Sequence, residues 1–508
     1  MTKATVLLIS PPVAKSCEPP AGIAKLAGVL ERHGIDTTVL DAGLEGVMCL
    51  IHGSIPDTDT WTQRAVRNRN AHIRTLTDAK GFGNPDRYRR AVSDLNRLLT
   101  IAARPKGVEM GLANYQADDL SPLNSANLLQ AAHTPETNPF FTYFSKRLTG
   151  MMDKLAPSLV GFSLNYLSQA LTTFAMVGYL RHISPQTPVA VGGGLITSWM
   201  SDPHWQDPFD GLFDRMVPGA GDGALLDILG VSARFTHSTP NYDRLSSQAY
   251  LSPGFVLPYS ASNGCYWNRC TFCPERAEGN AYQPVPVSNA LSDLHVLSAA
   301  THPVLIHLLD NAVSPNLMEA IIENPPGPSW YGFTRITFQL TDPDFCRRLK
   351  QSGCVMLKLG LESGDEKVLE SLDKGIDLEI AAKALTALAD AGIATYVYLI
   401  FGTTAETRAE AEKTLAFTVN HSDNIGFLNL AIFNLPAHGP EHPQLNTSDF
   451  YTGDLSLYRD FGHPGGWHRQ QVRDFLDREF KRHPAIAPIL RRTPPTFTSN
   501  HAPFFVLS

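Results

Sequence analysis

Residues 263–274 read Asn-Gly-Cys-Tyr-Trp-Asn-Arg-Cys-Thr-Phe-Cys-Pro, so Cys265, Cys270 and Cys273 fall within nine residues. Thiolates are the preferred ligands of iron–sulfur clusters. Three of them on one loop leave one iron of a [4Fe-4S] cluster open to chelate a small molecule. Structural zinc is the competing reading, but it wants four closed ligands, typically in two paired knuckles. No second Cys-x2-Cys follows, the next cysteine is Cys346, and the nearest later histidine, His295, falls in a predicted helix. Cys346 and Cys354 read as small buried apolar residues. The total of seven cysteines is odd, which argues against a secreted disulfide framework and for a reducing cytoplasm.

Outward from this loop the chain alternates between apolar runs and amphipathic stretches. VLPYSA (256–261) precedes it. PVLIHLL (303–309), GFTRITFQL (332–340), VMLKLGLE (355–362), IATYVYLIF (393–401) and GFLNLAIF (426–433) follow as strands. Helices are predicted near 286–300, 314–323, 342–352, 377–391 and 405–421. Six strands with intervening helices predict a partial (β/α)6 barrel over 256–434, with its chemistry at the C-terminal ends of the strands. The His-, Pro- and aromatic-rich tail, 435–508, reads as a cap over the mouth, with His468, Arg491 and His501 as solvated surface. Upstream, a strand at 4–9, a proline loop ending at Pro20, a helix over 21–33 closed by Gly34, and a strand ending at Asp41 open a doubly wound, Rossmann-like α/β domain spanning 1–230. A polar helical insertion of about 50–150 interrupts it. The alternation resumes at 158–164, 166–182, 188–194 and 213–229, and 231–255 reads as a linker. No Gly-x-Gly-x-x-Gly follows the first strand, which excludes a dinucleotide fingerprint there.

Across 508 residues, 43% are hydrophobic and 18% charged, and 42 Lys and Arg against 49 Asp and Glu give a net charge of −7. That is globular composition without the basic footprint of a nucleic-acid binder. No run of about 18 apolar residues exists, so no membrane span is expected.

The cysteine loop resembles that of the radical S-adenosylmethionine (SAM) superfamily, usually Cys-x3-Cys-x-aromatic-Cys. Here the first gap is four residues, one more than usual, and Phe272 occupies the aromatic slot near the SAM adenine. The resemblance implies that the open iron binds the amino and carboxylate groups of SAM and that an electron then breaks a carbon–sulfur bond. IHLLDNAVS (306–314) resembles the second barrel strand. There Asp310 would accept from the SAM ammonium or, alternatively, cap the next helix. LGLESGDEKVLESLDKG (359–375) matches the segment whose Glu-Ser, here Glu362 and Ser363, contacts the SAM ribose and methionyl end. Arg335, placed on the preceding strand, would approach a SAM carboxylate or substrate anion, or form a structural salt bridge. The turn Gly402-Thr-Thr-Ala-Glu-Thr407 stands where the family has its glycine-rich turn.

The N-terminal segments LLISPP, LVGFSLNYLSQA, VAVGGG and VPGAGDGALL resemble the cobalamin-binding domain found upstream of such barrels. Glycines including Gly193 and Gly219 would let a flat ligand approach the backbone, and Ser163, Asn165 and Ser168 would hydrogen-bond its tail. The first turn lacks the Asp-x-His-x-x-Gly that supplies an axial histidine. The resemblance therefore implies a radical SAM transferase with a [4Fe-4S] cluster, SAM and cobalamin. Its expected reaction is methylation of a carbon or phosphorus centre in a small molecule, with a flavodoxin or ferredoxin as electron donor. Two alternatives stand beside it: transfer of the 3-amino-3-carboxypropyl group to a small acceptor such as an arsenic or sulfur centre, and a non-catalytic corrinoid sensor.

Overall fold

The computed structural model describes residues 5–56, 59–231, 237–439, 444–495 and 501–506. Two parallel sheets organise it. The first contains β1 (Thr5–Ser10), β2 (Asp36–Asp41), β3 (Leu159–Ser163), β4 (Val189–Gly192) and β5 (Arg215–Val217), in the spatial order β2-β1-β3-β4-β5. Each strand is short, and β1, β3 and β4 are mostly apolar, as strands covered on both faces require. The order reverses at β1, so the C-terminal ends of β1 and β3 form the crevice where doubly wound sheets bind ligands. The helix Ala21–Arg32 ends at Gly34, whose φ of +73° is cheap only for glycine, and Ile35 N–H returns to Leu30 O at 3.0 Å.

Between β2 and β3 stand the helices Ala42–His52, Thr60–Thr77, Pro85–Ala103, Ser125–His133 and Phe141–Leu155, with a two-stranded hairpin pairing Val108–Met110 with Tyr115–Ala117. Their buried faces, among them Tyr88, Leu95, Phe140 and Phe144, join the core under one face of the first sheet.

The second sheet is β6 (Val256–Tyr259), β7 (Leu305–Leu308), β8 (Ser329–Thr334), β9 (Cys354–Glu362), β10 (Ala394–Phe401) and β11 (Phe427–Ile432), all parallel and in sequence order. Alternation sorts its side chains. Leu357, Leu359 and Leu361 of β9 face the outer helices, whereas Met356 faces the lumen with Tyr331, Tyr396 and Phe427. The predicted strand 332–340 is corrected: β8 runs earlier and stops at Thr334, where its pairing with β9 ends opposite Leu359, and Phe338–Thr341 is a single 3-10 turn. Arg335 therefore sits just beyond the strand, at the C-terminal rim of the sheet.

Segment 237–255 is irregular but firmly packed. Asn241 N–H bonds Ala24 O at 2.8 Å, Leu251 N–H bonds Ser16 O at 2.7 Å, and Tyr250 donates to Asp41 at 3.0 Å. Residues 232–236 of the expected linker lie outside the described residues. The tail divides. The sheet β12 (Leu435–Pro436), β13 (Thr447–Asp449) and β14 (Tyr458–Phe461), with residues 463–467, covers the strand C-termini, where His463 Nε2 lies 2.8 Å from Thr403 O and Trp467 Nε1 donates to Glu406 at 3.1 Å. Residues 501–505 plug the other end of the lumen against Tyr396 and Phe427. His501 is thus buried, contrary to its expected solvation, because its ring packs against Tyr396 and Phe427.

Candidate active site and interdomain cavity

The cysteine loop leaves β6 and docks on the turn that follows Glu362. Thr271 N–H donates to Leu372 O at 3.0 Å, and Trp267 Nε1 donates to Asp373 O at 2.8 Å. Gly375 (φ +63°) makes room for this indole: a Cβ there would stand 2.3 Å from the Trp267 ring. The extra residue in the first gap is absorbed by Asn268 in a left-handed conformation, φ +45°, which asparagine tolerates better than most residues. Arg335 completes the cradle. Its guanidinium lies 4.1 Å from the Trp267 ring centroid and 3.9 Å from Cys270 Sγ, and it donates to Lys374 O. It packs on the cysteine loop; among the described residues it forms no salt bridge, and it lies one residue beyond the strand end at Thr334.

Cys270 is buried, and Cys265 and Cys273 are partly exposed. Burial raises the thiols of Cys270 and Cys273, the latter to about 11, while Lys374 and Arg335 oppose the rise at Cys270. Among the described residues no three His, Cys, Asp or Glu side chains are drawn together as the shell of a single ion. Three thiols on one loop beside a guanidinium, with one face open, fit a cluster with a free iron.

Glu362 is the last residue of β9, at a register shift, with φ +71°. A buried non-glycine residue in that region is strained, and such strain concentrates at functional sites. Its carboxylate pairs with buried Lys374 at 2.7 Å, and Lys374 Nζ stands 5.6 Å from the Phe272 ring centroid. Ser363 does not join them. It is fully buried, its hydroxyl is 3.2 Å from Thr414 Oγ1, and it accepts from Asp365 N–H. Asp310 accepts from Ala261 N–H at 3.1 Å and Ser262 Oγ at 2.5 Å, fixing the start of the loop. It does not cap the next helix, since Ser314 does.

Below Glu362 on the inner face of β9, Lys358 Nζ stands 3.0 Å from His307 Nε2, and His307 Nδ1 stands 2.8 Å from Glu18 of the N-terminal proline loop. Lys15 pairs with the other Glu18 oxygen at 3.0 Å, and the His307 ring stacks on Tyr331 at 4.3 Å. Burial would raise the Glu18 carboxyl, but His307 and Lys15 outweigh it and hold it below the usual range. Burial brings His307 down to about 4 and, helped by Lys15, Lys358 down to about 7. Nothing in the sequence pairs Glu18 with His307, 289 positions apart.

A cavity of about 630 Å³ lies between the C-terminal edge of the first sheet and the cysteine loop. Ser163, Asn165, Gly193 and Gly219 line it, facing Asn263, Gly264 and Glu275 across the space. Asn165 ties its rim together, donating to Ser163 Oγ and accepting from Gly194 N–H, both at 3.0 Å. A Cβ on Gly219 would meet nothing within 4 Å, so a glycine there keeps this wall flat. Ser168 is not in the wall; its hydroxyl donates to Val13 O at 2.8 Å and anchors the proline loop. No helix in the described residues is long and apolar enough to cross a membrane.

Residues 259–418 match the family model of the radical SAM superfamily. The chain is 27% identical over 189 residues to the uncharacterised methyltransferase PH0819 of Pyrococcus horikoshii, a match that covers 35% of this chain and 40% of that protein's length. Among solved structures, it is similar to the radical SAM methyltransferase TsrM from Kitasatospora setae with cobalamin and a [4Fe-4S] cluster bound (TM-score 0.54, 15% identity, 92% of this chain and 85% of that one). It is also similar to the cobalamin-dependent SAM radical enzyme OxsB with aqua-cobalamin bound (TM-score 0.55, 13% identity, 91% and 64%). At those identities the likeness is one of fold. Together with the cysteine loop and the six-stranded parallel barrel, the family match assigns the segment 259–418 to the radical SAM superfamily.

Proposed function

We propose that this chain is a cobalamin-dependent radical SAM methyltransferase acting on a small molecule. The observation that carries the reading is the position of the interdomain cavity, with the glycine-lined edge of the first sheet on one side and the cysteine loop on the other. Cys265, Cys270 and Cys273 would hold the cluster. Phe272, Glu362 and Lys374 would line the SAM site, with Glu362 exchanging its lysine partner for ribose hydroxyls. Ser163, Asn165, Gly193 and Gly219 would seat the corrinoid. Once bound, the cluster supplies the electron that cleaves SAM and the corrinoid supplies the methyl group. The protein orients the three, keeps water out of the gap between its domains, and holds charge near the thiolates through Arg335. Among the described residues no histidine lines the cavity. TsrM has been solved with tryptophan substrate and a SAM analogue, which is consistent with a small-molecule acceptor.

The test is anaerobic cluster reconstitution followed by incubation with SAM, dithionite and hydroxocobalamin, with mass spectrometry of nucleosides and bound corrinoid. Deoxyadenosine formation with retained corrinoid supports the reading. Methylthioadenosine, or full activity without corrinoid, moves the assignment to aminocarboxypropyl transfer. The left-handed Asn268 in the lengthened loop is the feature that favours that second reading, because it alters the path between two cluster ligands.

A further inference from the structure

Beside the large cavity lies a smaller chamber of about 210 Å³. Its walls are the helix Gly194–Met200 and the residues after it, the short helix Pro274–Ala277 directly behind Cys273, and the cap around Pro436 and 454–458. The two spaces share Ser198, Pro274 and Glu278. Glu278 forms the partition: Ser198 Oγ donates to its Oε1 at 2.6 Å and Asn280 Nδ2 to its Oε2 at 3.0 Å.

The lining has a definite chemistry. Trp199, Trp205 and Tyr458 give it aromatic walls, and its carboxylates are Glu278, Asp202 and Asp454. Asp454 is engaged with Ser125 at the rim, accepting from its N–H at 2.8 Å and its hydroxyl at 2.5 Å; Asp202 accepts from His204 N–H at 2.8 Å, and Glu278, held by Ser198 and Asn280, keeps the further lone pairs of a carboxylate for a ligand. Among the described residues no lysine or arginine lines the chamber, and its basic side chain is His438. Trp199 is 3% exposed, and its indole N–H has no partner among the described residues. Burial raises the Glu278 carboxyl above its ordinary value, opposed by its bonds to Ser198 and Asn280 and, to a lesser degree, by His438.

We infer that this chamber is the substrate pocket and that it takes a small molecule joining a flat aromatic body to a protonated amine, with Glu278 reading the amine. The inference rests on the proposed function, because a chamber that shares Ser198, Pro274 and Glu278 with the larger cavity and lies directly behind Cys273 is where an acceptor for that reaction would stand. Aromatic faces and carboxylates attract an ammonium together, and the same carboxylates repel an anion.

The test uses the full chain and three probes of one shape: 2-phenylethylamine, phenylacetate and 2-phenylethanol, titrated by calorimetry and by tryptophan fluorescence. The amine should bind at least about tenfold more tightly than the other two, the discrimination expected of a charge-assisted hydrogen bond. Glu278→Gln should weaken the amine by about tenfold and leave the alcohol unchanged. Trp205→Ala, which lies outside the large cavity, should weaken both. Equal binding of amine and carboxylate, or no binding of any probe to the unmodified chain, overturns the inference, and neither result depends on a variant folding. Hydroxocobalamin retention is measured separately. Amine selectivity without retained corrinoid supports the chamber while the methyltransferase reading falls; retained corrinoid with charge-blind binding overturns the chamber alone.

Discussion

Replacing Lys358 by methionine should stabilise this protein near neutral pH. Lys358 is buried in the barrel lumen, and its direct polar contact is the neutral ring of His307. Burial, then Lys15, bring its amine from an ordinary 10.5 to about 7. At 1.36 kcal/mol for each tenfold change in protonation, that drop is a penalty on the folded state of about 5 kcal/mol once both states would otherwise be charged. Methionine fills the same lumen space without a charge, but it leaves His307 Nε2 without its donor, which costs about 1–3 kcal/mol. The net expectation is a gain of about 2–4 kcal/mol near pH 7, read as a higher guanidinium midpoint. The pH dependence fixes the cause. Above about 10.5 the unfolded lysine is neutral too, and the penalty vanishes. As pH falls from there toward about 7, the unfolded chain takes up a proton that the folded chain refuses, and the penalty grows to its full size. The advantage of the variant should therefore be largest near pH 7 and shrink toward pH 10.5. A variant less stable than the parent near pH 7, or a difference that does not change with pH, would refute this account of Lys358.

Three further outcomes follow from contacts described above. Gly375→Ala forces a Cβ into the Trp267 ring at a left-handed φ, so the cysteine loop should lose its seat and the reconstituted protein should bind markedly less iron, measured by colorimetric assay against parent. Arg335→Met and Arg335→Lys should both lower cluster retention, since lysine cannot reproduce the stack on Trp267 together with the contact to Cys270; rescue by lysine would show that charge alone matters. Glu18→Ala leaves Lys15 and His307 without their shared carboxylate and should cost about 3–5 kcal/mol near pH 7 in denaturation midpoints. Because the Glu18 carboxyl is held below its ordinary 4.5, its contribution is present above that value and lost as pH falls, so parent and variant should converge in acid.

The sequence by itself determined the alternation of elements and the chemistry of one loop. Strand runs such as 355–362 and 393–401 are apolar enough, and their spacing regular enough, for periodicity to define them to within one residue of the structure. The three cysteines announce a cluster because metal ligation depends on residue type and short spacing, both of which are local. Ser163, Asn165, Gly193 and Gly219 were legible as one group because turns that follow parallel strands converge at one edge of a sheet. Ser168, Ser363 and Asp310 were readable only as residue types. Whether a hydroxyl or carboxylate faces a ligand or a neighbouring backbone depends on side-chain direction, and the structure directs these to Val13, to Thr414 and Asp365, and to the 261–262 segment. Only the tertiary structure decided the Lys374 partner of Glu362, the seat of Trp267 on Gly375, the Lys358–His307–Glu18 chain and the Glu278 partition. Each joins segments far apart in sequence or set by a bulge. Such contacts are selected by how whole sheets and loops pack, and no local pattern of residues encodes that.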